Sequence, residues 1–169
     1  MPVVRAETEA DREAVREINE LAFGQAAEAD LVDALRRGAG PRISLVAEEG
    51  GRIVGHIFFS PVTVGEGGAE FEALALGPMA VLPEFQRRGV GSALVREGLA
   101  QCLRLGHEVV FVVGHPEFYP RFGFVPARTK RLACEYDVPD DVFMVAELRP
   151  GALAGRGGLV RYGPEFADV

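Results

Sequence analysis

Two short stretches hold the residues whose types and spacing suit chemistry. The first, Gln86-Arg87-Arg88-Gly89-Val90-Gly91-Ser92, sets two glycines and two arginines at the head of a long apolar-periodic segment. The first N–H groups of a helix have no internal partner, and the helix dipole gathers partial positive charge there. A phosphate can accept several of those N–H bonds at once. Gly89 and Gly91 remove side chains where a pyrophosphate must come close to the backbone, and Arg87 and Arg88 make the stretch locally basic. A strand-to-helix turn without a ligand also uses glycines, so the pair alone establishes only an anion-compatible helix start. The stretch is not a dinucleotide GxGxxG, because Leu94 stands in the third place, and it lacks the Gly-Lys-Ser/Thr of a Walker A loop. The second stretch runs from Gly114 and His115 through Phe118 and Tyr119 to Gly123 and Phe124. Taken alone, Tyr119 reads as a half-buried aromatic with a satisfied hydroxyl.

The elements that must position these residues follow from periodicity. Val3 to Ala6 reads as a short strand. Thr8 and Asp11 have capping-box spacing ahead of a helix carrying Ala14, Val15, Ile18, Leu21 and Ala22, which Gly24 ends. A second helix is expected over Ala27 to Arg37, stopped by Gly38. Ser44 to Glu48 and Arg52 to Ser60 form a hairpin about a glycine turn, and Val62 to Val64 extends it. Phe71 to Val81 is a strand in which Gly77-Pro78 predicts a break or bulge, since proline cannot donate to the ladder. A helix from Gly89 to Leu105 turns Val90, Leu94, Val95, Leu99, Cys102 and Leu103 inward. Val109 to Val113 has the continuous apolar character of a strand buried on both faces, and it runs parallel to the strand before the helix. A helical turn near Glu117 to Phe122 follows. Closing strands are expected near Ala127 to Leu132 and Val142 to Leu148, with Leu159 to Tyr162 packing as an edge. No linker divides the chain, and residues 1–169 are expected to form one domain.

Within this frame the run from Pro78 to Leu94 resembles the central motif of the GNAT superfamily of N-acetyltransferases, written Gln/Arg-x-x-Gly-x-Gly/Ala. The second stretch is similar to its Tyr-x-x-x-Gly-Phe motif, with Tyr119, Gly123 and Phe124 in the matching places. The whole layout, including Ala22-Phe23-Gly24, resembles the YhbS-like bacterial acetyltransferases, although many of those carry Tyr-Tyr where Phe118-Tyr119 stands here. The resemblance implies an α/β (α+β) fold. It would have a mixed sheet of about six to seven strands, a splayed parallel central pair and about four flanking helices. It also implies acetyl-CoA as acetyl donor, with its pyrophosphate on the backbone from Gln86 to Ser92 and its pantetheine arm along Met79, Ala80 and Val81 as an added strand. His115 joins the cofactor contacts in this reading. Tyr119 becomes the general acid toward the departing thiolate, which suits a phenol of pKa near ~10 beside a thiol of ~8.5.

The implied reaction is attack by a primary amine, from a small molecule or a protein, on the thioester within a ternary complex. The amine must lose a proton, and Glu28, Glu72, His56 and His115 are the candidate bases, Glu28 being preferred because it opens the second helix, where the resemblance implies that the acceptor site is built. Each also has an ordinary role: solvated charge, strand side chain or turn cap. A non-catalytic acyl-CoA-binding sensor or regulatory module is the alternative, and a generic nucleotide-binding α/β protein is a third reading. Cys102 and Cys134 have neither metal-ligand spacing nor a partner histidine, so both are expected to be reduced, and no metal is expected. A net charge of -7 argues against a nucleic-acid partner. No apolar run nears the roughly 20 residues that span a bilayer. The N-terminus lacks a secretory layout, and a cytoplasmic location is expected. The superfamily also implies a homodimer.

Overall fold

The computed structural model describes residues 2–168. The chain forms β1 (Val3–Ala6), α1 (Arg12–Phe23), α2 (Ala27–Arg37), β2 (Ile43–Glu49), β3 (Arg52–Val64), β4 (Phe71–Val81), α3 (Val90–Arg104) and β5 (Val109–Val113). It closes with β6 (Val125–Pro126), β7 (Leu132–Cys134), β8 (Phe143–Glu147) and β9 (Gly158–Tyr162). Local chemistry sets the boundaries. Thr8 donates its N–H to Asp11 Oδ2 at 2.7 Å, Arg5 holds the same carboxylate at 2.7 Å, and Gly24 ends α1 at φ 71°.

All nine strands belong to one mixed sheet, ordered β1-β2-β3-β4-β5-β8-β6, with β9 joining the far end of β3 and pairing with β7. Its two faces are covered separately. Ile57 and Phe59 pack with Leu94, Val95 and Cys102 of α3. Phe58, the residue between them, packs with Val15 of α1 and Leu31, Val32 and Leu35 of α2. This alternation within one strand places the layers. A second cluster, around Val62, Phe111, Phe143 and Val160, fills the end of the sheet beyond the helices.

Nine strand segments, some of only two to four residues, and three α-helices among the described residues roughly fit the expected mixed sheet flanked by helices. Two details depart from expectation. The segment expected as a strand over Ala127 to Leu132 is a 3₁₀ turn, Ala127–Lys130, between the short strands β6 and β7. Pro126 begins that turn, the Thr129 hydroxyl donates to its carbonyl at 2.6 Å, and Arg131 leaves the turn at φ 62°. On α3, Gly98 rather than Leu103 completes the buried stripe, and Leu103 is 42% exposed.

Candidate active site

The centre of the sheet comes apart by design of its register. β4 and β5 pair in parallel only through Leu74, Ala75 and Leu76 against Val110, Phe111 and Val112. On its other edge β4 stays paired with β3, but three steps from Leu76 to Met79 oppose two from Phe59 to Ile57. The extra residue is the bulge predicted at Gly77-Pro78, and it turns β4 away from β5. A cavity of about 720 Å³ opens where they part. Met79, Ala80 and Val81 line it with Gln86 from below, and Val113, Gly114, His115 and Tyr119 line it from the β5 side.

The turn into α3 is shaped by its backbone. Arg87 stands at φ 63° and Gly89 at φ 86°, with Arg88 between them at negative φ. Such alternation turns successive N–H groups toward one point and makes an anion-binding concavity. Arg87 holds a left-handed conformation that costs a non-glycine residue of order 1–3 kcal/mol, so the surrounding turn must enforce it. The Gln86 amide contributes by donating to the Val81 carbonyl at 3.0 Å. No side chain caps α3, and its first internal bond runs from Ala93 N–H to the Gly89 carbonyl, which leaves the earlier N–H groups without helical partners. The Val90 side chain is buried in the core, so only its backbone is left at the surface of the turn. Arg88 lies 4.9 Å from the centre of the Phe85 ring, and neither Arg87 nor Arg88 has a carboxylate partner among the described residues.

Tyr119 opens a four-residue 3₁₀ turn, and Pro120 limits its length. Its N–H donates to the His115 carbonyl at 3.3 Å. The ring is 6% exposed and stands edge-on to Phe118 at 5.0 Å and to Phe124 at 5.7 Å. Burial pushes its phenol up to about 12, so the proton is firmly held. Gly114, quoted in the motif but assigned no role from sequence, makes this placement possible: a Cβ there would lie 2.4 Å from Tyr119 Cε2.

Of the four candidate bases, Glu28 and His115 line the cavity. Glu72 is an exposed side chain opposite Thr63 on β4, outside the cavity lining. His56 is fully buried in a polar chain. Ser44 donates to Glu7 at 3.0 Å, which leaves His56 Nε2–H to donate to Ser44 at 2.8 Å and Nδ1 to accept from Asn19 at 3.5 Å. Burial, reinforced by the Arg36 charge, lowers its pKa to about 3, so it is a neutral structural link. The cavity also reaches residues for which no local signal was visible: Phe23 and Leu31 on one side, Tyr136, Val138, Tyr162 and Phe166 on the other. Cys102 and Cys134 are both unpaired thiols.

A sheet that splays beside the start of a helix defines a class of acyl-group transferases, and the comparisons place the chain within it. A family model for the acetyltransferase (GNAT) domain matches residues 3–127, which contain both motifs. The chain belongs to that family. The uncharacterised N-acetyltransferase YhbS of Escherichia coli K12 is 33% identical over 165 residues, spanning 97% of this chain and 98% of its own. The uncharacterised YjhQ of the same strain is 41% identical over 135 residues, 78% of this chain and 74% of its own. The crystal structure of E. coli YhbS in complex with CoA aligns with a TM-score of 0.91 at 32% identity, covering 98% of this chain and 91% of that one. A GNAT family acetyltransferase from Brucella melitensis, in complex with acetyl-CoA, aligns at 0.80 with 35% identity over 98% of both chains. No helix among the described residues is long and apolar enough to cross a membrane.

Proposed function

We propose that the protein transfers the acetyl group of acetyl-CoA to a primary amine by direct attack in a ternary complex. The observation that carries this reading is the single cavity into which the freed edge of β4 and the buried phenol of Tyr119 both open, with Gln86 at its foot leading to the uncapped start of α3. Two similar proteins hold CoA or acetyl-CoA in their crystals. In this chain the N–H groups from Arg87 to Ser92 would hold the pyrophosphate, with the charges of Arg87 and Arg88 beside them. Met79, Ala80 and Val81 would order the pantetheine arm along β4, and His115 would bound it from the opposite wall. A backbone N–H near Ala80 or Val81 would stabilise charge developing on the carbonyl oxygen.

The bonds balance without a further reactant. The amine nitrogen bonds to the carbonyl carbon, the carbon–sulfur bond breaks, and the sulfur receives the Tyr119 proton. Glu28, directly or through a water, takes the proton that the amine gives up, and Tyr119 is reprotonated from solvent. A phenol held protonated by burial remains a donor throughout the ordinary pH range. The test is thiol release by wild type and Tyr119→Phe across pH, alongside acetyl-CoA affinity by calorimetry. We expect kcat to fall by about 10²–10⁴ with affinity unchanged. Full activity in the variant would remove Tyr119 from this role. Tight binding with no thiol released for any amine would identify an acyl-CoA-binding module instead.

A further inference from the structure

The half of the cavity facing away from the α3 cradle has a distinct chemistry. Phe23 and Leu31 form one wall, and Tyr136, Val138, Tyr162 and Phe166 form the other. The aromatic wall is continuous: Tyr136 and Tyr162 lie 6.0 Å apart at 47°, and Tyr162 and Phe166 lie 5.0 Å apart at 68°. The first pair is tilted and the second edge-to-face, and neither is stacked face to face, so ring surface remains to receive another ring. Phe23 is 41% and Tyr136 is 38% exposed, so apolar surface stands open to water at the mouth of a concave site. Such surface is covered when a site is filled.

The charge inventory narrows the occupant. Glu28 is the one carboxylate among the described lining residues, and no lysine or arginine lines the cavity. The Gln25 amide holds its two oxygens at 3.1 and 3.2 Å, which orients the carboxylate at the start of α2. One negative charge in an apolar pocket fits one ammonium. A polyamine or aminoglycoside would bring several cations to a single partner, and desolvating the rest without pairing is unfavourable. An anionic acceptor finds no counter-charge. One polar atom of the far wall, the Tyr162 hydroxyl, is buried with no hydrogen-bond partner among the described residues. Burial raises its pKa, so it stays a neutral donor and acceptor.

We propose that the acceptor is a monocationic primary amine on an aromatic body. Its nitrogen lies against Glu28, and its ring lies against Tyr136, Tyr162 and Phe166. This inference rests on the acetyl-transfer reading above. The experiment is a thiol-release comparison of 2-phenylethylamine and tyramine with n-butylamine, spermidine, an aminoglycoside and a lysine-containing peptide. Acetyl-CoA affinity is measured in parallel. We expect kcat/KM for the two aromatic amines to exceed that of every other amine by at least about tenfold. Tyr136→Ala, a change at an exposed side chain, should raise KM for the aromatic amines at least about tenfold while acetyl-CoA affinity stays as in wild type. Glu28→Gln should weaken all amines alike. A preference for spermidine, the aminoglycoside or the peptide, or no aromatic amine accepted by a protein that binds acetyl-CoA, overturns the inference and leaves the binding site intact. Failure to bind acetyl-CoA at all would instead overturn the reading beneath it.

Discussion

The two halves of the cavity are built by different means. The half beside α3 comes from one continuous run, β4, a turn and a helix start, and what it offers a ligand is mostly backbone: the freed edge of β4 and the N–H groups from Arg87 onward. The other half is made of side chains from α1, α2, the segment after β7 and the segment around β9. They meet because β9 pairs with both β3 and β7 and because Phe166 packs against the cluster around Leu31 of α2. Backbone recognition depends on conformation, which a few residues set locally. Side-chain recognition depends on the whole fold, and can be changed one residue at a time without disturbing the first half. A common donor with a variable acceptor is the pattern such a division permits.

The comparison can be broken first at the cradle. A Cβ at Gly91 would meet Met79 Cε at 3.6 Å and Phe118 Cζ at 3.7 Å, which are ordinary contacts, so the fold tolerates a side chain there. Gly91→Ala should therefore keep its thermal stability yet weaken acetyl-CoA binding about a hundredfold, or about 2.8 kcal/mol, by calorimetry. An unchanged affinity would mean that the helix start is not the anion site.

The next effect concerns the long-range half. His56 ties Asn19 of α1 to Ser44 of β2, and its folded pKa of about 3 lies below the ordinary value of 6.5. Between those values the unfolded imidazole takes a proton that the folded one refuses. Stability is thus fully present above pH 6.5 and declines as pH falls toward 3. Unfolding free energies from denaturant titrations at pH 7 and pH 5 should differ by about 2 kcal/mol from this group. In His56→Gln that difference should shrink, while stability at pH 7 falls by about 1–3 kcal/mol through the disrupted buried chain.

The smallest expected effect lies where the halves touch. Gly114→Ala pushes against the Tyr119 ring and should lower kcat about tenfold through misplacement of the phenol, with acetyl-CoA affinity little changed. Loss of affinity equal to the loss of kcat would show that the two halves are not separable there.

What could be read in advance follows the same division. The α2 boundaries, the bulge at Gly77-Pro78 and the α3 start were legible because glycine, proline and apolar period act within a few residues of themselves. Over Ala127 to Leu132 the chain forms a turn rather than the expected strand, because Pro126, Thr129 and Arg131 favour one. Tyr136, Tyr162 and Phe166 carried no local mark at all, since nothing near them in the chain says that they share a wall. Gly114 was visible as a residue but not as a constraint, because its purpose is the ring it makes room for.

The bulge in β4 has a bearing on how the molecule survives in a crowded solution. An unpaired strand edge is the usual template on which β-proteins stick to one another. The rim of this sheet ends in strands of four, two and three residues, β1, β6 and β7, too short to recruit a neighbour effectively. The freed stretch of β4 is sunk in a cleft between Gly114, Tyr119 and the helix start. A slender, flexible chain can lie along it, but the broad edge of another folded sheet cannot reach in. The protein thereby keeps open a hydrogen-bonding edge that would be hazardous on its surface.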